Sequence, residues 1–502
     1  MEQESASAVS SRLDMLQRTL GGGPNFHHID GAFQPSLAGA VINVHNPATG
    51  HVLAEVATGD GEDIEMAVTA ARRALKSGPW PLLTASQRAA LLFALADDIE
   101  KDAADWALLE SLDAGHTLTS ITVGDLPLGL RSLRDNAGWA TKVTGETAMQ
   151  SAGQPVANYY VREAVGVAGL ITPWNAPFLM AIQKMSAALA AGCTVVVKPS
   201  DLAPLSALRL GEACRRVGFP PGVVNVVAGG ASAGKALSQH PDVNMISFTG
   251  STDVGRSIMT DAANSNLKRV VLELGGKSPT VVFDDADIAK ATSAIVAEII
   301  FKSGQYCAAG TRVLVQRSIY RPFLGALRAQ MEQVRTGAGH LSGSDMGPMI
   351  SQHQRERAAR IVGDSVQQGA TVICGGRPKT GPGYFFEPTI LVNAGAEARA
   401  WREEIFAPVL TLTPFPDDAP LEQVAAAAND TRYGLSAKVW SRDLRRVLAM
   451  IDLFETGQVI ANGGGGEAVL PFGGIKLSGY GRENGLEGVK AFTEIKSVKL
   501  GY

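Results

Sequence analysis

The run Val165-Gly166-Val167-Ala168-Gly169-Leu170-Ile171, continued by Thr172-Pro173-Trp174-Asn175 and then by Phe178 to Ala191, decides the fold class. A short apolar, β-branched run reads as a buried strand, and the Leu/Met/Ala stretch after it reads as a crossover helix. The alternation continues downstream. Thr194 to Lys198 reads as a strand, Pro204 to Val217 as a helix, Phe219-Pro220-Pro221-Gly222 as a turn, Val223 to Val227 and Met245 to Phe248 as strands, and Val254 to Ala263 as a helix. Strands alternating with helices of this length build a doubly wound parallel α/β sheet. A second alternating block runs from Val270 to about Leu470, with strands near Pro279 to Phe283 and Arg312 to Gln316 and helices near Ile288 to Phe301 and Ser318 to Val334. Two α/β lobes invite a cleft between them.

Toward the N-terminus the pattern is mostly helical, with Ala/Leu-rich stretches from Asp63 to Ser77 and from Ala85 to Glu110 after a turn at Asn46-Pro47-Ala48-Thr49-Gly50. Residues 1 to about 24 are rich in Ser and Glu and end in Gly21-Gly22-Gly23-Pro24, which predicts a mobile extension or a loosely attached helix. At the other end, Ala491 to Leu500 alternates apolar and polar residues as a half-buried strand does.

Composition narrows the function classes. The 502 residues are 45% hydrophobic and 19% charged, ordinary for a globular chain. With 45 Lys+Arg against 49 Asp+Glu the net charge is -4, so no basic field is available to hold nucleic acid. Cysteines at 193, 214, 307 and 374 are too few for a disulfide framework, and no Cys-x-x-Cys pair suggests a zinc site, so no metal is expected. The start Met1-Glu2-Gln3-Glu4-Ser5 has neither a basic n-region nor an apolar stretch, and no apolar run approaches the roughly 20 residues that span a bilayer. These features predict a cytoplasmic protein with no membrane association.

Several stretches carry chemistry, each weakly by itself. Phe248-Thr249-Gly250-Ser251-Thr252-Asp253-Val254 is a glycine-containing turn from strand to helix, where backbone amides attract phosphate. Lys198-Pro199-Ser200-Asp201 lies at the end of a neighbouring strand, where open α/β sheets bind ligands. Cys307 follows a helix and a glycine, which suits an exposed nucleophile, although a lone cysteine is more often a small buried hydrophobe. Glu273 ends an apolar strand, where burial would raise its pKa toward that of a usable base; pairing with a nearby cation is the bland alternative.

Together these stretches resemble the aldehyde dehydrogenase superfamily over nearly the whole chain after residue 25. The resemblance is carried by Ile171-Thr172-Pro173-Trp174-Asn175, Lys198-Pro199-Ser200, Phe248 to Thr252, Leu272-Glu273-Leu274-Gly275-Gly276-Lys277, Gly304-Gln305-Tyr306-Cys307, Glu404-Ile405-Phe406, Pro471-Phe472-Gly473-Gly474 and Ser478-Gly479-Tyr480-Gly481-Arg482-Glu483. It implies NAD(P)-dependent oxidation of an aldehyde to an acid. Cys307 would be the nucleophile, Glu273 the general base, Asn175 with the Cys307 N–H the oxyanion hole, and Lys184 and Glu483 a path for the proton leaving the base. The cofactor would lie against Ile171, Thr172, Pro173, Trp174, Lys198, Ser200, Asp201, Gly230, Phe248, Gly250, Ser251, Val254, Leu274, Gly275, Glu404 and Phe406. The substrate tunnel would include Ala176, Met180, Gln183, Tyr306 and Asn462, with Gly463 to Gly466 at a wide mouth, which favours a medium-sized, aromatic or polar-substituted aldehyde.

Two departures from the family pattern stand out. Asp201 replaces a frequent Glu, with NAD still favoured over NADP, and Ala407 replaces a Gly and would add a methyl beside the nicotinamide. The resemblance further implies a dinucleotide-binding domain over residues 25–145 and 163–272, a catalytic domain over 273–470, and an oligomerisation element over 146–162 and 485–502 that joins subunits in a homodimer or homotetramer. Three other readings are a coenzyme A-acylating relative, which Glu273 argues against, a non-catalytic structural protein on the same fold, which the intact Cys307, Glu273 and Asn175 argue against, and a cofactor-free thiol hydrolase.

Overall fold

The computed structural model of the chain describes residues 6–148, 156–465 and 467–501. Residues 1–5 of the expected extension, 149–155 of the expected oligomerisation element, Gly466 and Tyr502 lie outside the described residues.

Val167–Ile171, Thr194–Lys198, Val224–Val226, Met245–Thr249 and Arg269–Glu273 are the parallel centre of an eight-stranded sheet. From Val167–Ile171 the next strand lies to one side, and the chain later returns to the other side at Met245–Thr249. That reversal leaves a crevice at the carboxyl ends of these strands. Successive residues feed two separate cores. Leu170, Val195 and Val197 pack with Ile182 and Met185 on one face, and Val167, Ile171, Val196 and Ile246 with Ile64 and Val68 on the other. Burial on both faces is why these strands are continuous apolar runs rather than alternating ones.

The edges of this sheet come from distant sequence. His27–Ile29 and Ala32–Gln34 close one side. At the other, the two-residue strand Gly479–Tyr480 pairs antiparallel with Leu272 and Glu273. A second sheet of seven strands takes Arg312–Gln316, Pro279–Val282, Val409–Phe415 and Ser436–Trp440 at its centre. A third places Thr493–Gly501 beside Val156–Ala164, which in turn pairs with Glu146–Ala148.

Two helical expectations change. The stretch from Ala85 to Glu110 is two helices, Ala85–Lys101 and Ala103–Ala114, because the Asp102 carbonyl accepts from the N–H groups of Asp105 and Trp106 and restarts the helix. Of the N-terminal stretch expected to be mobile, Ala6–Gly21 is a helix seated on the body. Leu13, Leu16 and Leu20 share one face at helical spacing and pack into the core that holds Trp106, and Arg12 pairs with Asp105 at 2.8 Å. Among the described residues no helix is long and apolar enough to cross a membrane.

Candidate active site

The helix Ile288–Ile300 ends in a tight turn that delivers Cys307. Lys302, Ser303 and Gly304 are consecutively left-handed, with φ of 51°, 57° and 69°. For each non-glycine residue that conformation costs roughly 1–2 kcal/mol. Glycine is required at 304 for a further reason, since a Cβ there would overlap the Ala407 carbonyl. Side chains hold the turn in place. Ser303 Oγ donates to Gly347 O at 2.7 Å, Gln305 Nε2 to Lys302 O at 2.9 Å, and Ile350 N to Gln305 Oε1 at 2.9 Å. Beyond the nucleophile, Lys438 Nζ donates to Ala308 O at 2.7 Å.

Asn175 meets this loop from the cofactor sheet. It follows the strand Val167–Ile171 and precedes the helix Pro177–Ala191, whose proline at the first position needs no N–H partner. Asn175 Nδ2 donates to Gln305 O at 2.8 Å, leaving its second amide hydrogen free for a ligand. The Cys307 N–H has no acceptor among the described residues. Burial, and then the charges of Glu404 and Glu273, push the Cys307 thiol up to about 12, while Lys302 opposes them.

Glu273 is buried, and neither carboxylate oxygen has a hydrogen-bond partner. Burial first, and the nearby Glu483 charge second, hold its pKa well above the ordinary carboxylate range, against Lys184 and Arg482. Lys184 and Glu483 do come together, but on each other rather than on Glu273. They form a buried ion pair bridged by Ser247, which accepts from Lys184 Nζ at 2.9 Å and donates to Glu483 Oε1 at 2.8 Å. Ser247 was not singled out in the sequence, and Gly473 and Arg482 stood in quoted motifs without a role. Gly473 lies so close to Glu273 that a Cβ there would sit 2.6 Å from Oε1. Ser247 is one residue of an apolar strand with no local signal, and only the fold brings it to Glu483.

The residues assigned to a dinucleotide gather at the strand ends. Lys198 is buried, and its Nζ donates to Pro199 O at 2.8 Å and Gly229 O at 2.6 Å, while burial pulls its pKa down to about 8. Asp201 is exposed nearby, at the lip near Gly230, with Ser200 Oγ 3.4 Å from its carboxylate. Gly230 precedes the helix Ala231–Gln239. Ser251 caps the helix Thr252–Asn264 by accepting from Val254 N, and Phe248 lies directly under Gly250. Leu274 packs on Gly255 of that helix. Across the crevice, Glu404 accepts from Gly276 N at 2.9 Å, leaves no room for a Cβ on Gly275, and is pushed up to about 7 by burial. Phe406 stands edge-on to Trp174, with ring centroids 5.3 Å apart. Thr172 Oγ1 and Thr249 Oγ1 are buried at two strand ends without partners. Orphaned hydroxyls, a buried cation and glycines where chain approaches chain fit a phosphate-linked, ribose-bearing group.

One expectation about a side chain is corrected, and two further side chains make contacts the sequence did not announce. The Ala407 methyl packs in the core with Phe386 and Val409 instead of entering the crevice. Asn462 exchanges two hydrogen bonds with Ser441, accepting from its N–H at 3.1 Å and donating to its carbonyl at 3.0 Å, and keeps one amide hydrogen to offer. The Gln183 amide donates to Ser132 at 3.1 Å, which leaves its carbonyl oxygen and one amide hydrogen to spare. Ala176 is buried and Met180 partly so on the helix after Asn175. Tyr306 faces a cavity of about 320 Å³ whose wall includes Phe301, Trp440, Ile460 and Gly463.

The profile of the aldehyde dehydrogenase family matches residues 33–498. The chain belongs to that family. Cytosolic aldehyde dehydrogenase 1 of Rattus norvegicus is 41% identical over 475 residues, covering 94% of each chain. The NAD+ complex of an aldehyde dehydrogenase from Bacillus cereus superposes with a TM-score of 0.94 at 39% identity over 99% of both chains. Betaine aldehyde dehydrogenase from Staphylococcus aureus in complex with NAD+ gives 0.94 at 36% identity, over 98% of this chain and 97% of that one.

Proposed function

We propose that this aldehyde dehydrogenase oxidises a medium-sized, aromatic or polar-substituted aldehyde to its carboxylic acid, with NAD as acceptor and Cys307 as the covalent nucleophile. The carrying observation is that Cys307, the half-spent amide of Asn175 and the unpartnered carboxyl group of Glu273 converge between the two sheets.

Cys307 Sγ adds to the aldehyde carbon as its proton leaves, giving a thiohemiacetal. The carbonyl oxygen becomes an oxyanion aimed at the free Asn175 amide hydrogen and the Cys307 N–H. NAD, when bound, supplies the two-electron acceptor that takes up the hydride. Thr172, Lys198, Ser251 and Glu404 orient the dinucleotide, and Asp201 meets the 2′-hydroxyl of its adenosine ribose. The acyl group is left as a thioester on Cys307. Glu273 takes a proton from water, the hydroxyl adds to the thioester carbon, and the C–S bond breaks to release the acid and the thiolate. The raised pKa of Glu273 makes its carboxylate a stronger base for that step. The Lys184–Ser247–Glu483 cluster lies behind Glu273 as the route by which its proton departs.

The cavity that Tyr306 lines, one residue before Cys307, supports the substrate class through its aromatic walls, which suit a ring better than a methyl group; Cys307, Asn175 and Glu273 are not part of its wall. Catalytic efficiency across acetaldehyde, hexanal, benzaldehyde and a hydroxylated aromatic aldehyde tests it with NAD, with NADP and without cofactor. The aromatic pair should lead and should need NAD. Acetaldehyde leading the series rejects the substrate class, and turnover without a nicotinamide rejects the oxidation. Four cysteines free of disulfides suit a cytoplasmic location.

A further inference from the structure

A buried group of charges outside the reacting residues connects the two halves of the site. Asp125 closes the π-helical turn Ile121–Asp125, and Lys302 Nζ pairs with its Oδ2 at 2.8 Å, with both side chains only 3% exposed. Lys302 belongs to the left-handed turn that leads to Cys307. Its carbonyl accepts from Gln305 Nε2, and the Gln305 carbonyl accepts from Asn175 Nδ2. On the other side Glu110, on the helix Ala103–Ala114, accepts from Ser206 Oγ at 2.7 Å and from Phe178 N at 3.3 Å. Phe178 lies in the first turn of the helix that begins just after Asn175. The charges of Asp125 and Lys302 both act on Glu110. A circuit therefore closes: Asp125 to Lys302 to Gln305 to Asn175, and back through the Pro177–Ala191 helix to Glu110.

His116 lies in the same group, buried, with both ring nitrogens unpartnered and its Nδ1 3.9 Å from Asp125. Glu110, His116 and Asp125 bring one potential metal-ligating atom each within 4.8 Å of one another. The cation of the group is the Lys302 ammonium already paired with Asp125, so a metal ion is not needed to balance the buried carboxylates.

We propose that Lys302, clamped by Asp125, is a positioning residue that fixes Cys307 relative to Asn175. The inference rests on the reading of Cys307 as the nucleophile and Asn175 as the oxyanion donor. Two consecutive left-handed non-glycine residues persist only where their surroundings over-determine them. The side-chain bonds of Ser303 and Gln305 hold the later part of the turn, and the ion pair holds its first residue. The ammonium is also a positive charge that favours the Cys307 thiolate, against Glu404 and Glu273.

The test compares Lys302→Met and Lys302→Arg with the unaltered enzyme. Misplacement of the nucleophile should lower kcat by about 10-fold to 100-fold in Lys302→Met while the KM for aldehyde stays within about 3-fold. Alkylation of Cys307 by iodoacetamide should slow in parallel, and Lys302→Arg, which keeps the charge, should recover part of both. A folded Lys302→Met enzyme with kcat and alkylation within about 2-fold of the unaltered enzyme overturns the proposal. So does a lower Tm with unchanged kcat per folded molecule, which would make the pair merely structural. Should Lys302→Met not fold, Lys302→Met/Asp125→Leu removes both members of the ion pair and leaves no unpaired carboxylate at 125, while Glu110 keeps its bonds to Ser206 and Phe178. The same kcat loss is expected there, and a normal kcat overturns the proposal. Peptide mapping of the alkylated, unaltered enzyme separates the two levels. Label elsewhere than Cys307, with loss of activity, sinks the nucleophile reading, whereas label on Cys307 with an indifferent Lys302→Met sinks only the positioning role.

Discussion

At the scale of single residues, a thiol pushed up to about 12 by burial and two carboxylates is almost wholly protonated near neutrality. The deprotonated form is the reactive one, so alkylation of Cys307 should quicken about tenfold per pH unit between about pH 7 and 9, with no plateau. A plateau in that window would show that something other than burial and the two carboxylates sets its reactivity. Cys307→Ala should abolish oxidation without loss of fold, whereas replacing Cys193, Cys214 or Cys374 should leave activity largely in place. Glu273→Gln keeps the size but not the base, so a first burst of reduced cofactor should survive while steady turnover drops by roughly 10²–10⁴-fold. Rapid-mixing measurement showing burst and steady rate unchanged would remove Glu273 from the mechanism. Cys307 and Glu273 gave only weak local signals and Asn175 none, so the roles expected of all three came from the resemblance of the whole set of motifs. Ser247, Asp125 and Lys302 were not legible, because their partners lie 236, 177 and 177 residues away and no local pattern marks them.

At the scale of elements, four of the five central strands could be read from their apolar runs, because burial on both faces leaves few polar interruptions. Gly479–Tyr480 could not: two residues carry no periodicity, and the strand exists only because Leu272 and Glu273 offer an unpaired edge. The two bonds that Asn462 exchanges with Ser441 were not legible either, because 21 residues separate the partners. Cofactor choice belongs at this scale, since Asp201 extends from the strand Thr194–Lys198 while Lys198 is tied down to two carbonyls. An exposed carboxylate there accepts from a ribose 2′-hydroxyl and repels a 2′-phosphate. NAD should therefore exceed NADP in kcat/KM, and Asp201→Ser should narrow the gap by about tenfold, mostly through KM. Equal efficiency with the two cofactors in the unaltered enzyme would refute this.

For the whole molecule, the feature least at ease in a lone chain is the three-stranded sheet of Thr493–Gly501, Val156–Ala164 and Glu146–Ala148. Its outer strand, Thr493–Gly501, pairs on one side only among the described residues and exposes Ile495 and Leu500 by more than half. A nine-residue edge strand with apolar side chains in solvent is a template for another chain, and proteins that stay monomeric blunt such edges. Lys496 and Lys499 alternate along it, but Lys496 is already paired with Glu163 of the neighbouring strand, which weakens its value as a guard against pairing. Completion of this sheet by a second copy is the expectation that the exposed edge and the sequence resemblance share. Light scattering at micromolar concentration should report a dimer or a tetramer, and truncation after Phe492 should shift the mass toward that of one chain. The two α/β sheets and the residues between them come from residues 25–484, so the truncated chain should keep the cofactor crevice. A full-length chain that stays monomeric would leave the exposed edge unexplained and would remove assembly from the account.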